Sequence, residues 1–170
     1  MKTTLNIIKS QLPYNDCWNK LLISLNKREP DNEKISLIYI LRSIGIEDAI
    51  LILKCFKYKE YCSFLADVVE SILHLYVEDS PTPHQTIKAI RKYHKGEITR
   101  SELDSIKPTY TLTPTSASAY TIYAIKASAS NSPYNTIQYT IKAASLEDKE
   151  YDTRIKKWND IEQLFIKHFK

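Results

Sequence analysis

Glycine is scarce in this chain, which has only Gly45 and Gly96 among its 170 residues. Tight β-hairpins and phosphate-binding loops depend on glycine because their backbones use positive φ angles that other residues adopt only with strain. Neither the G-x-G-x-x-G pattern nor the P-loop pattern occurs. The scarcity disfavours β-rich folds and the usual nucleotide-binding α/β folds, and it predicts a helical protein.

Cysteines and long apolar runs are also few. Cys17, Cys55 and Cys62 are odd in number, lack CxxC spacing and have apolar or aromatic neighbours. This pattern indicates buried thiols in a reducing compartment. The first residues hold no apolar run typical of a signal peptide, and no segment reaches the roughly 18–20 apolar residues of a membrane span. We therefore expect a cytoplasmic protein with no part in the membrane.

Charge of one sign is in only mild excess. The chain has 24 basic and 20 acidic residues, a formal net charge of +4. A dedicated nucleic-acid binder concentrates a larger excess on one face. The charge balance therefore favours an ordinary solvated surface, with nucleic-acid binding kept as a lesser alternative.

What the chain does have is apolar residues at helical spacing along most of its length. Capping signals mark several ends: Asn15 or Asp16 before one helix, Gly45 after another, and Thr99 with Glu102 as a capping box. We predict a single all-α domain over residues 1–170, a compact bundle of about seven to nine helices. The predicted helices cover residues 17–26, 33–44, 47–56, 61–77, 86–95 (starting at 85 or 86), 97–106, 115–130, 133–146 and 148–169.

From about residue 109 the composition shifts to Ser, Thr, Ala and Tyr. Thr and Tyr favour β structure, so strands are an alternative here. Alanines at helical spacing favour closely packed helices, and Pro114 and Pro133 fit near helix starts. Tyrosines crowd this half and are candidate interface residues, because tyrosine buries area while keeping a polar tip. They are Tyr110, Tyr120, Tyr123, Tyr134 and Tyr139.

The candidate site residues lie on the predicted helix 61–77 and the helix that follows. Asp67, Glu70 and His74 are spaced i, i+3 and i+7, which places them on one helix face. Such residues can ligate a metal, with His84 or His94 added from the second helix. A single-helix triplet lacks the ligands that facing helices supply, so we expect no metal. The favoured interpretation is an ion pair of the two carboxylates with Lys88 or Arg91.

The order of several motifs resembles the immunity-protein-5-like family of phage genomes and bacterial toxin loci. The motifs are DCWNKLL, ILRSIGIEDAILIL and YCSFLADVVESILHLYVEDSPTPHQTIKAIRKYHKGEI, followed by alanine-rich helices, and the likeness runs over about residues 1–165. Matching positions are Cys17, Gly45, Asp48, Ala49, Asp67, Glu70, Pro83, Ile87, Arg91, Gly96, Glu97 and Ile98, whereas Thr82 and His84 stand where the family pattern has arginines. The resemblance implies toxin neutralisation or conflict with a host, in the host cytoplasm if the gene is carried by a phage.

Signals for catalysis are missing from the sequence. The cysteines have helical, apolar contexts in which a thiol is inert, and the G-x-S-x-G elbow does not occur. We expect a non-enzymatic protein without a cofactor that binds a target protein and blocks it sterically. A small-ligand or nucleotide-binding module, using the turn between the two central helices, and a nucleic-acid-binding protein are the alternatives.

Overall fold

The computed structural model describes residues 1–12, 16–77, 80–106, 108, 115–148 and 151–170. In these residues the predicted all-α class and helix number are confirmed, since nine α-helices account for most of the structure. The helices are α1 (Leu5–Gln11), α2 (Cys17–Ser24), α3 (Leu37–Ile52), α4 (Tyr58–Glu70), α5 (Thr82–Lys95), α6 (Arg100–Ile106), α7 (Ala117–Ala129), α8 (Pro133–Glu147) and α9 (Tyr151–Phe169). The predicted caps Asn15 and Pro114, together with Tyr110, lie outside the described residues.

The chain divides into two units. Unit 1 comprises residues 1–57 and 165–170, and unit 2 comprises residues 58–164. The single-domain organisation expected from the sequence stays a prediction. In the described part of the chain, every helix is too short or too polar to cross a membrane.

Unit 1 contains one helix and a pair of strands that the sequence did not predict. Helix α1 begins after Thr4, whose hydroxyl accepts a hydrogen bond from the Ile7 amide at 3.2 Å. Strand β1 (Lys2–Thr3) pairs antiparallel with β2 (Ile35–Ser36), with Lys2 opposite Ser36 and Thr3 opposite Ile35. The helix and the strands are short, and the two strands pair although they lie far apart in sequence. Apolar periodicity therefore does not reveal any of them.

Gly45 separates the two helices predicted at residues 33–44 and 47–56, which in the structure are the two arms of α3. Its φ of 82° is positive, but its ψ of 171° lies outside the left-handed helical region predicted for a residue that ends a helix. Gly45 makes a kink instead, and the helix resumes after it. The predicted start at Glu33 is wrong. Ser36 caps the helix instead, and its hydroxyl accepts from the Tyr39 amide at 3.1 Å. Residues 53–55 continue the second arm as a 3-10 turn.

Helix α4 is the centre of unit 2 and packs against α5, α7 and α8. Apolar residues recur on several of its faces, which allows it to contact helices on different sides. Its buried side chains include Tyr58, Tyr61, Cys62, Phe64, Leu65, Ala66, Val68 and Val69. This burial holds the ends of α4 and α5 in a fixed arrangement.

The predicted helix 61–77 is wrong at its C-terminal end. Helix α4 stops at Glu70, and residues 73–75 form a separate 3-10 turn. The hydroxyl of Ser71 donates to the Val68 carbonyl at 2.6 Å, and the amide of Ile72 bonds the Val69 carbonyl with 3-10 rather than α-helical spacing. Side-chain bonds of this kind compete with the α-helical ladder. Apolar periodicity continued through the break because Ile72 and Leu75 are still buried.

Helix α5 begins earlier than predicted, at Thr82 rather than at residue 85 or 86. Pro83 lies in its first turn, where a missing backbone N–H costs nothing because that donor has no intrahelical partner. At the other end the prediction is confirmed, since Gly96 is left-handed with φ 81° and ψ 18°. The proline signal therefore marks the start of α5, since α4 has already ended at Glu70.

The predicted capping box of α6 is confirmed. The Glu102 amide donates to the Thr99 hydroxyl at 3.2 Å, and the Thr99 amide donates to the Glu102 carboxylate at 2.7 Å. The hydrogen bonds that the Thr99 amide and hydroxyl donate to the Glu102 carboxylate lower the pKa of Glu102. The helix itself starts at Arg100, so residues 97–99 precede it.

Helices α7 and α8 form a tightly packed hairpin. The β alternative is wrong for residues 117–129 and 133–147, which are helical, while residues 109–114 lie outside the described residues. Small side chains allow the close approach: Ala124, Ala129 and Ala143 are fully buried. Buried Thr121 and Thr136 donate their hydroxyls to carbonyls one turn back, at 2.9 and 2.8 Å. The hairpin thus buries hydroxyl-bearing residues that resemble strand formers in sequence.

Candidate functional site

Asp67 and Glu70 form an ion pair with Arg91, as the sequence predicted. One guanidinium nitrogen donates to the Glu70 carboxylate at 2.9 Å, and the other donates to Glu70 at 2.5 Å and to Asp67 at 2.8 Å. The carboxylates lie on the last turn of α4, and Arg91 lies beyond the middle of α5. Packing of α4 against α5 brings the charges together.

The electrostatics of this cluster are those of a satisfied structural contact. Hydrogen bonding from Arg91 holds the pKa of Glu70 below its ordinary value of 4.5. The Glu70 carboxylate in turn raises the pKa of Arg91. Because the guanidinium uses its donors on two carboxylates, it has little capacity left for an anionic ligand.

His74 does not belong to this cluster. The break after Glu70 removes it from the predicted helix face. Its Nε2 lies 3.5 Å from the carboxylate of Glu147, at the end of α8. The predicted face of Asp67, Glu70 and His74 is therefore wrong, because it assumed a continuous helix.

The remaining predicted site residues are exposed on α5. His84 lies on the first turn of α5. Lys88 lines a separate groove of about 300 Å³ with Gln85, Ala89, Lys92, Ile98 and Ile106. In the residues that the structure describes, no three His, Cys, Asp or Glu side chains are placed to hold a metal ion together.

Lys157 of α9 takes part in a polar cluster that the sequence did not reveal. Its ammonium group donates to the Ser71 hydroxyl at 2.8 Å and lies 3.5 Å from the Ser71 carbonyl. Burial lowers the pKa of Lys157. A cation at this position complements the negative C-terminal end of α4. The cluster fixes the end of α4, so it has a structural explanation.

The thiols are poor nucleophiles. Burial raises the pKa of Cys17 to about 11 and the pKa values of Cys55 and Cys62 to about 12. A thiol with such a pKa is protonated near neutral pH, and the thiolate is the reactive form. Cys17 and Cys62 are buried, whereas Cys55 is partly exposed, so burial was predicted correctly for two of the three.

A tyrosine-rich face on the α7–α8 hairpin is the strongest candidate surface. The ring centroid of Tyr139 lies 6.1 Å from that of Tyr120 and 5.6 Å from that of Tyr123. All three rings are partly exposed. Tyr134, on the first turn of α8, is 41% exposed. The sequence predicted crowded tyrosines, and the structure places three of them in contact.

A groove of about 330 Å³ adjoins these rings. Its lining residues come from three helices: Tyr120 of α7, Arg154 of α9, and Gln138, Ile141, Lys142, Ser145 and Leu146 of α8. The ammonium group of Lys142 lies 5.6 Å from the Tyr120 ring centroid, within cation–π range. We call this groove, with Tyr123, Tyr134 and Tyr139, the hairpin face. Its aromatic and cationic residues suit it to bind a folded partner.

No protein-family model, curated protein or solved structure matches this chain.

The lining of the groove had a partial signal in the sequence. Gln138, Ile141, Lys142 and Ser145 repeat at three and four residues, which places them on one stripe of α8. Because the stripe mixes polar and apolar residues, it indicates the boundary between the buried and the exposed side of α8. The contribution of Tyr120 and Arg154 depends on helix packing and had no local signal.

Proposed function

We propose that this protein acts by binding another protein, as an immunity factor or as a phage-encoded antagonist of a host defence or toxin protein. The hairpin face supports this function because it joins three partly exposed tyrosines with Lys142 and Arg154 around a groove. Tyrosine and arginine are enriched in the residues that dominate binding energy at protein interfaces. The order of motifs that resembles the immunity-protein-5-like family supports the same class of function.

The mechanism that follows is steric. Helices α7 and α8 are tightly packed and present the hairpin face as a preformed surface, so binding orders few side chains. A rigid face of this kind covers the target's active site or its partner interface. Binding takes place in the cytoplasm, since three thiols without a disulfide suit a reducing compartment.

The Lys88 groove and the basic side of α5 support nucleic-acid binding less well. Arg91 is held by two carboxylates, Arg100 pairs with Asp104 at 2.9 Å, and Lys95 lies 3.9 Å from Glu97. Binding of a phosphate backbone depends on several Lys and Arg side chains that neutralise phosphates, and a cation already paired with a carboxylate is less available for this. The α5 surface therefore ranks behind the hairpin face.

Site-specific photo-crosslinking in the native host tests the proposal. A benzophenone side chain replaces Tyr134 on the hairpin face, and in a matched control it replaces Tyr39 of unit 1, which is equally exposed at 40% against 41%. We expect a discrete crosslinked protein from position 134 and none from position 39. Equal crosslinking at both positions, or none at 134, contradicts the proposal. The captured protein is then purified and assayed with and without this protein, and its activity should fall on addition.

A further inference from the structure

The charge of the groove in the hairpin face has one sign. Lys142 and Arg154 are both exposed, and no Asp or Glu is among the residues that line the groove. In the part of the chain that the structure describes, neither cation forms an ion pair. Lys142 is instead placed over the Tyr120 ring. Elsewhere in the described residues of unit 2, Arg91 and Arg100 are engaged by carboxylates, whereas Lys88 and Lys92 of the other basic groove are not. The groove in the hairpin face differs from that second groove because its lining includes an aromatic ring and an arginine.

The same groove has an apolar wall. Leu146 is 46% exposed although it is a large aliphatic residue, and the lining also includes Ile141, which is 4% exposed. Most of the groove surface is carbon, contributed by these side chains and by the Tyr120 ring. Its volume of about 330 Å³ falls at the lower end of the range for binding pockets, about 300–1,000 Å³. The space therefore suits one or a few side chains and not a large cofactor.

We propose that the groove binds an acidic segment of the partner protein, with an apolar side chain against Leu146 and flanking carboxylates on Lys142 and Arg154. This inference rests on the proposed function and names the chemistry of its partner. Arg154 can hold a carboxylate through two parallel hydrogen bonds, and Lys142 supplies a point charge. An exposed leucine in the same groove as the cations favours a peptide, whose apolar side chain can pack against it, over a phosphate backbone.

Charge complementarity of this kind has a kinetic consequence. Opposite charges on the two surfaces speed association and make it depend on salt, while the apolar contact slows dissociation. Raising the ionic strength should therefore slow association of the partner more than it speeds release.

Titration of the isotope-labelled protein with two synthetic peptides tests the inference by NMR. The probe is acetyl-Asp-Glu-Leu-Phe-Asp-Glu-amide, and its control has every acidic residue replaced by Lys. We expect the acidic peptide to shift amide signals near Lys142, Leu146 and Arg154, and the basic peptide to shift none of them. The Lys142→Glu/Arg154→Glu variant should bind the acidic peptide more weakly by on the order of tenfold, since each reversal replaces attraction with repulsion.

A matched variant controls for an effect of the protein's net charge on peptide binding. Lys88→Glu/Lys92→Glu makes the same change in net charge at the other basic groove and should leave the titration unaltered. Equal shifts with both peptides, shifts centred on Lys88 and Lys92, or no shifts at all overturn the inference.

Crosslinking from position 134 in the Lys142→Glu/Arg154→Glu background separates this inference from the proposed function. Loss of the crosslinked partner supports an acidic segment. Retention of the partner overturns the acidic class while protein binding by the hairpin face stands. If the acidic peptide binds but no protein is captured from position 134, the groove chemistry stands and the proposed function fails.

Discussion

At the scale of single residues, the contact between Arg91 and its two carboxylates shows what sequence spacing predicts well. Asp67 and Glu70 lie one turn apart, so a shared basic partner on the next helix was predictable. Lys88 and Arg91 were equally plausible partners from spacing alone. Only packing of α5 against α4 decides between them, and it places Arg91 against the carboxylates and Lys88 in another groove.

Breaking this ion pair should reduce stability. Glu70→Gln removes the charge but keeps the shape, and we expect a loss of about 0.5–1 kcal/mol, a small value because both side chains are partly exposed and screened by solvent. Thermal unfolding should show a decrease in Tm of roughly 1–4 °C. Glu162→Gln on α9 is the control, because no ion pair of Glu162 is described.

The same contact has a defined pH dependence. Because the folded-state pKa of Glu70 is lowered, its contribution is present above the ordinary carboxyl pKa of 4.5 and is lost as the pH falls through the folded-state value. The difference in Tm between the wild type and Glu70→Gln should therefore be constant near neutral pH and shrink below about pH 4.5. A difference that persists in strong acid would contradict the ion-pair explanation.

Each glycine is required for a different reason. An alanine Cβ at Gly96 would lie 2.8 Å from the flexible ammonium end of Lys59, and at Gly45 it would meet no atom within 4 Å. Gly45, however, combines φ 82° with ψ 171°, a region open almost only to glycine. We expect Gly96→Ala to cost about 1 kcal/mol and Gly45→Ala to cost more, about 1–3 kcal/mol, by chemical denaturation. Adding Lys59→Ala should not rescue Gly96→Ala, because the strain is in the backbone.

At the scale of helices, the sequence predicted helix ends that neighbouring residues determine, but not those that depend on contacts with distant elements. The capping box of Thr99 and Glu102 and the left-handed Gly96 are set by neighbouring residues, so they were predictable. The end of α4 at Glu70 depends on Ser71, whose hydroxyl turns back to Val68 and accepts a bond from Lys157 of a distant helix. Strands β1 and β2 are defined by their pairing with each other, which local sequence does not show.

Within α8, two buried threonines should respond oppositely to the same change. Thr136 and Thr140 are both fully buried, but the Thr136 hydroxyl donates to Ser132 at 2.8 Å, whereas in the described residues the Thr140 hydroxyl has no hydrogen-bond partner. Thr140→Val should stabilise the protein by about 1 kcal/mol because it removes a buried, unsatisfied group. Thr136→Val should be destabilising by about 0.5–1.5 kcal/mol, and urea denaturation of the pair measures the contrast. Equal effects from the two changes would contradict this explanation.

At the scale of the whole molecule, the sequence predicted the helical class because its periodicity extends through most of the chain. It predicted a tyrosine-rich half but not the groove, since Tyr120, Lys142 and Arg154 belong to three different helices. Their meeting depends on how α7, α8 and α9 pack, and single-sequence patterns carry no information on that packing. Residue spacing alone predicted the ion pair of Arg91, whereas the hairpin face became apparent only in the structure.

Unit 1 includes the C-terminal residues 165–170, so a mutation there should destabilise residues 1–57. Its residues 165–170 include Phe165, fully buried, and Phe169, whose ring centroid lies 4.6 Å from that of Phe165. Phe165→Ala should cost about 3–5 kcal/mol, and Phe165→Leu less, with Gln163→Ala on the exposed side of α9 as the control. Hydrogen exchange should show lost amide protection in residues 1–57. An equal loss throughout residues 58–164 would contradict the assignment of Phe165 to unit 1.

The division into two units has a consequence for folding during protein synthesis. Unit 2 is a continuous stretch of chain, whereas unit 1 is interrupted by residues 58–164. On the ribosome, residues 1–57 therefore wait for their last contacts until the whole of unit 2 has been translated, on the order of ten seconds. During that interval the apolar side chains of the early helices lack the contacts that residues 165–170 supply in the finished unit.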